Sequence, residues 1–160
     1  MADDILLDAG LFIGALLKND PRHAWAVKVV NGARLGHFSG VTTIGILSET
    51  YAALTWEGAV PPHAPDVAAQ AVLAIVEAPS QIRLLGETAD VLPRMLAIAK
   101  AQDLRARRVH DARHAATALV HGVCRVATYD QGDWSKFASH GIVLVNPETL
   151  ATSSQVSDTR

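Results

Sequence analysis

The stretch VHDARHAATALVHGVCRVATYDQGDW, residues 109–134, places a helix, a turn, a strand and an acid in immediate succession. Ala112, Ala115, Ala116 and Leu119 recur at i, i+3, i+4 and i+7, the stripe of a helix that turns one face to a core. Gly122 stops that helix, and CRVAT, residues 124–128, then reads as a strand that delivers Asp130 just beyond its end. Helix and strand in alternation build a parallel sheet covered by helices.

The same alternation extends in both directions from this stretch. Strands are expected over residues 4–7, 37–41, 81–85, 124–128 and 142–145. The first and last are nearly continuous apolar runs, as strands covered on both faces require. Helices are expected over 10–17, 21–31, 43–56, 65–77, 89–102 and 111–121, with a short helical turn over 133–137. Pro21 and Pro65 suit a first helical turn and Thr43 can cap the helix that it opens. Pro93 is tolerated only in a first turn, so its helix starts later than the apolar pattern alone suggests. GAVPPHAP, residues 58–65, reads as a loop, and the polar tail 150–160 as disordered.

At 160 residues and 49% hydrophobic content, the chain has the size and apolarity of one ordinary domain. A net charge of -2 excludes the broad basic field of a non-specific nucleic-acid binder, so any such contact is local. The single cysteine, Cys124, excludes an internal disulfide and a cysteine-rich zinc site, and reads as a small buried hydrophobe. No basic leader or membrane-length apolar run is present in the sequence, and a cytoplasmic location is expected.

In an open parallel sheet, sites form beyond the carboxyl ends of the strands. Asp8 directly follows ILL and Asp130 follows CRVATY, which puts both acids at one edge. Taken singly, Asp8 also suits a helix N-cap, Asp130 a turn, Asp133 the cap of the short helix, and Asp111 a first-turn acid favoured by the helix dipole. Glu49 stands in a helix apolar nearly all round, beside Gly45, Ile46, Ala52, Ala53 and Trp56, which predicts a desolvated carboxylate. Such a carboxylate must be paired, for instance with Arg113, or be protonated or bound to a metal. Four acids in one pocket repel and call for a cation, and all-oxygen ligands favour Mg2+ or Mn2+ over zinc. His114, one turn beyond Asp111, either shares this surface or bonds locally.

These residues resemble the PIN-domain ribonucleases, and within them the VapC-type toxins of toxin–antitoxin pairs. The resemblance rests on ILLDAGLFIGALL (5–17), ILSETYAAL (46–54), the stretch 109–134 and IVLVNP (142–147), and covers about residues 4–147. It implies a three-layer α/β/α fold with a mostly parallel sheet of about five strands, in a single domain over 1–149. It implies a metal-dependent endoribonuclease with Asp8, Glu49, Asp111 and Asp130 as catalytic acids, leaving a 5′-phosphate and a 3′-hydroxyl. Asp8, Asp111 and Asp130 are the expected Mg2+ or Mn2+ ligands, and Glu49 a second-metal ligand or a water-orienting base. Thr128 matches the hydroxyl residue of a T-x-D motif that orients the site, and Asp133 supports it. The same resemblance implies a cognate antitoxin and a homodimer, to whose contacts Trp25 and Trp56 are candidates. Two departures stand out: Gly10, where many relatives carry a small polar side chain, and Trp134, where phenylalanine is usual.

For the RNA substrate, the densest cationic run is LRARRVHDARH, in which Arg107, Arg108 and Arg113 flank Asp111 and suit phosphate contacts. Three alternatives remain at this level. One is a PIN-fold nuclease of RNA processing without an antitoxin. Another is a PIN-like binding module with idle acids. The third is an all-helical HD-type metal phosphohydrolase built on His110, Asp111 and His114 with other histidines.

Overall fold

The computed structural model describes residues 3–153. β1 (Ile5–Leu7) is buried at every residue, as a strand covered on both faces has to be. It runs into α1 (Ala9–Leu16) and α2 (His23–Arg34), then β2 (Gly40–Thr43), α3 (Ile44–Thr55), α4 (Pro65–Val76), β3 (Arg83–Leu85) and α5 (Val91–Ala101). A 3-10 turn (Ala106–Arg108) leads into α6 (Val109–Val120), β4 (Arg125–Ala127), α7 (Gln131–Ser135), a second 3-10 turn (Lys136–His140), β5 (Val143–Val145) and α8 (Pro147–Ser153).

The five strands form one sheet in the order β3-β2-β1-β4-β5, and every adjacent pair is parallel. Ile5 lies opposite Gly40 on one side and Arg125 on the other, so β1 is the central strand. Parallel neighbours need crossover connections, and the helices between strands supply them in a three-layer α/β/α arrangement. α1 packs on α2 and α3, α2 on α8, and α5 on α6. Phe12 and Phe137 are fully enclosed, each contributing about 1.5–3 kcal/mol of apolar burial. The parallel sheet removes the all-helical HD alternative.

β2 begins later than the expected 37–41 strand. Gly36 has a φ of +77°, and the turn that it makes carries the chain through residues 37–39 before pairing starts at Gly40. The strand then ends on the β-branched pair Thr42 and Thr43. Gly40 is itself required by packing, because a Cβ there would stand 2.8 Å from the Cβ of Ala33 on α2.

Three smaller expectations change. The disordered tail cannot begin at 150, because α8 extends to Ser153 and buries Leu150 and Ala151; residues 154–160 lie outside the described residues. Cys124 is only half-buried. α6 begins at Val109, which places Asp111 inside its first turn rather than at its start. As expected from Pro93, α5 begins at Val91 and keeps that proline in its first turn. No helix among the described residues is long and apolar enough to cross a membrane.

Candidate active site

The sheet order reverses direction at β1: the chain goes first to β2 on one side and later to β4 on the other. Ligand sites in open α/β sheets lie outside the strand carboxyl ends at such a switch point. Asp8 follows β1 there, and Thr128 follows β4.

Asp8 is held on both oxygens. Its Oδ1 accepts the Ala9 N–H at 2.9 Å, which makes it the N-cap of α1. Its Oδ2 accepts the Thr128 hydroxyl at 2.7 Å and the Trp134 indole N–H at 3.1 Å. Capping and site membership are therefore not alternatives at this residue. Burial pushes the Asp8 carboxyl above the usual carboxylate range, and the negative charge of Glu49 adds to the rise. The hydrogen bonds from Thr128 and Ala9 and the nearby His114 oppose it.

Asp111 approaches the same place from α6. Burial raises its carboxyl too, against His114 and Lys136, while Asp8 and Glu49 push it further up. The charge of Glu49 thus reaches both Asp8 and Asp111, and that of Asp8 reaches Asp111, although the three are far apart in sequence.

Glu49 does not occupy the desolvated position that the helical pattern predicts. Its side chain is 45% exposed. α3 buries Gly45, Ile46, Leu47, Thr50 and Leu54, whereas Ile44 and Trp56 are exposed despite being apolar. Nor is its partner Arg113, whose guanidinium makes a two-point bridge to Glu87, with both contacts at 2.8 Å. Glu49 is held instead by His114, whose Nε2 donates to its Oε1 at 2.8 Å. His114 is only 2% exposed.

Asp130 is exposed and joins the group through Thr128, whose hydroxyl oxygen accepts the Asp130 N–H at 2.9 Å. Its Oδ1 accepts the Asp133 N–H at 3.2 Å, so Asp130 rather than Asp133 caps α7. The cap shifts because the helix begins at Gln131, ahead of the expected 133–137 turn. Asp133 faces Lys136 at 3.6 Å. Arg107 and Arg108 are exposed in the turn before α6, without an ion pair among the described residues. That turn is entered through Ala106 at a φ of +50°, a strained conformation for a residue with a Cβ.

Sequence reasoning missed the roles of Trp134 and Lys136, and foresaw Thr43 only as the cap of α3. Trp134 was legible only as a substitution. Lys136, two residues further on, carries the positive charge that Asp111 feels. Thr43 ends β2, caps α3 through the Ile46 N–H, and lies 3.5 Å from His114 Nδ1.

Among the described residues, no three histidine, cysteine or acidic side chains stand close enough to grip a metal ion unaided. Magnesium rarely asks for that: it commonly takes one or two carboxylates and completes its shell with water and substrate phosphate. Asp8 and Asp111, both destabilised as anions by burial and by the charge of Glu49, are a donor pair that suits such an ion.

A parallel α/β fold with acids gathered at its switch point defines the class of protein. The chain belongs to the PIN domain family, whose model matches residues 5–139. The crystal structure of VapC20 from Mycobacterium tuberculosis, a sarcin-ricin loop cleaving toxin, shares the fold with a TM-score of 0.63 and 20% identity, over 89% of this chain and 99% of that one. FitAcB from Neisseria gonorrhoeae shares it with a TM-score of 0.60 and 20% identity, over 89% and 97%. No curated protein sequence matches the chain.

Proposed function

We propose that the chain is a Mg2+- or Mn2+-dependent endoribonuclease and acts as the toxin of a toxin–antitoxin pair. The observation that carries the nuclease assignment is the Asp8 carboxylate held by Ala9, Thr128 and Trp134 at the carboxyl edge of the sheet, with the carboxyls of both Asp8 and Asp111 raised by burial and by neighbouring acids. Membership of the PIN family and likeness in fold to a sarcin-ricin loop cleaving toxin support RNA as substrate.

Asp8 and Asp111 would hold the divalent ion, with Asp130 as a further ligand directly or through water. When bound, the ion supplies a Lewis acid that lowers the pKa of water and neutralises charge on the phosphoryl group. The protein's part is positioning. Thr128 and Trp134 fix the carboxylate plane of Asp8, and Asp133 supports the Asp130 turn. Glu49 orients the attacking water, accepts its proton, or holds a second ion. Lys136 adds positive charge beside Asp111, where the transferring group carries negative charge. Arg107 and Arg108 hold phosphates beside the scissile one, whereas Arg113 is occupied by Glu87. The expected products carry a 5′-phosphate and a 3′-hydroxyl.

An antitoxin would cover exposed apolar surface, and a homodimer would cover more. A groove of about 220 Å³ between α1, α2 and α4, lined by Phe12, Leu16, Val30 and Ile75, suits an apolar partner segment. The decisive test is cleavage of RNA by the purified protein with Mg2+, with EDTA, and with Asp8→Asn. Loss of cleavage in the last two supports the assignment, and metal-dependent cleavage that survives Asp8→Asn overturns it. Co-expression with the product of an adjoining short reading frame should suppress that cleavage if the protein is a toxin.

A further inference from the structure

A buried imidazole is an unusual thing to place beneath a half-exposed carboxylate. His114 sits on the core-facing side of α6 among Ala112, Ala115, Ala116 and Ala118, where an apolar side chain would satisfy packing alone. Its Nε2 instead reaches α3 and donates to Glu49 Oε1 at 2.8 Å. At its other end Nδ1 lies 3.5 Å from the Thr43 hydroxyl, which is itself fixed as the cap of α3. The ring is thus met at one end by Glu49 of α3 and at the other by the residue that caps α3.

The space for the ring is made by a third residue. A Cβ on Gly45 would stand 2.7 Å from His114 Cε1 and 3.2 Å from Nδ1. Gly45 lies one helical turn before Glu49, so α3 omits a side chain at the one place where the imidazole passes under it.

Left to itself, a glutamate on an exposed helix face samples many rotamers. The 2.8 Å bond from the enclosed His114 ring selects one of them for Glu49. We propose that His114 is a positioning residue for Glu49: the Thr43–His114–Glu49 chain, admitted by Gly45, holds that carboxylate in one place. The inference rests on the nuclease assignment above and names the device that sets one of its acids.

Single-turnover cleavage and steady-state kinetics on one RNA, with Mg2+, test it. His114→Leu, which keeps the bulk and removes the donor, should lower kcat about 10–100-fold, the usual cost of losing a group that orients a functional side chain, and change KM by less than about threefold. His114→Gln retains a donor at the Nε2 position and should keep kcat within about fivefold of wild type. On a Glu49→Gln background, His114→Leu should cost less than about twofold more, because the two residues act as a unit. A readout without metal or substrate accompanies these: in the metal-free protein, NMR should show a protonated His114 Nε2 with slow exchange that quickens in Glu49→Gln. Wild-type kcat in His114→Leu, additive losses in the double variant, or His114→Gln no better than His114→Leu would each overturn the positioning role. If His114→Leu does not fold, the His114→Gln kinetics and the NMR exchange decide it. A wild-type protein that cleaves no RNA overturns the nuclease assignment instead, and the exchange measurement then still decides the His114–Glu49 link.

Discussion

The Trp134 indole Nε1 donates to Asp8 Oδ2 at 3.1 Å, joining residues 126 positions apart in the chain. Trp134 is also buried edge-on against Phe137, with ring centroids 5.5 Å apart, so the donor is fixed by packing before it meets the acid. Trp134→Phe keeps the apolar body and removes the donor. It should cost about 1–2 kcal/mol, the scale of a hydrogen bond to a charged group, and lower Tm by about 2–4 °C per kcal/mol. Cleavage should fall several-fold, because Thr128 alone then fixes that oxygen. Thermal melts and kinetics on one preparation check both.

The two ends of β1 carry acids that respond oppositely to pH. Asp4 is buried, which would raise its carboxyl, but Arg83 at 2.6 Å and the Ser39 hydroxyl at 2.6 Å hold it well below the ordinary 3.8. Its contribution to stability is present above 3.8 and is lost as pH falls towards its folded value. Asp8 and Asp111 are raised, so the folded state binds their protons more tightly than the unfolded one. Between 3.8 and their folded values, stability therefore falls as pH rises. The metal-free protein should melt highest at mildly acidic pH. Asp8→Asn should flatten the decline above that maximum while abolishing cleavage, and saturating Mg2+ should flatten it in wild type. A Tm–pH series that stays parallel in wild type and Asp8→Asn would contradict this.

Gly45→Ala tests the same site by crowding. The added Cβ meets an enclosed ring at 2.7 Å, so either α3 or His114 must move. The expected cost is about 1–3 kcal/mol, the range for overpacking a well-filled interior. Denaturant melts should show it as a lower midpoint with an unchanged slope.

For RNA contact, the exposed Arg107 and Arg108 are the residues to change. Each phosphate contact on a single strand contributes about 0.7 to the slope of log affinity against log salt. Replacing both arginines by alanine should therefore lower that slope by about 1.4 and weaken binding across unrelated sequences. Arg113→Ala should act differently. It frees Glu87 and leaves the salt slope near wild type, because its guanidinium is already committed.

How far this was legible depended on whether local pattern decided the outcome. β1 and β4 could be read from apolar runs that end in an acid, and α4 from Pro65. β2 was expected over 37–41 but pairs over 40–43, because pairing is set by the neighbours Ile5 and Arg83, which no local pattern contains. The burial of Glu49 was misjudged for a related reason. A helical wheel counts Ile44, Ala52 and Trp56 as apolar and hence as inside, yet apolar residues are common on surfaces and only the neighbouring elements decide. α8 was overlooked because Leu150 and Ala151 are isolated among polar residues. Asp8, Asp111 and Asp130 stood out as candidates by their place at strand and helix ends and Glu49 as a lone acid in an apolar helix, but the partners Trp134 and His114 reach across the fold and leave no periodic trace.

The position of β1 at the centre of the sheet also governs when the site can exist. Asp8 leaves the ribosome early with β1, while β4, Thr128 and Trp134 follow only after more than a hundred further residues. A nascent chain that stops before them presents Asp8 without the hydroxyl and indole that hold it. Any hydrolytic capacity therefore arises late in synthesis, and a chain truncated ahead of β4 should be inert.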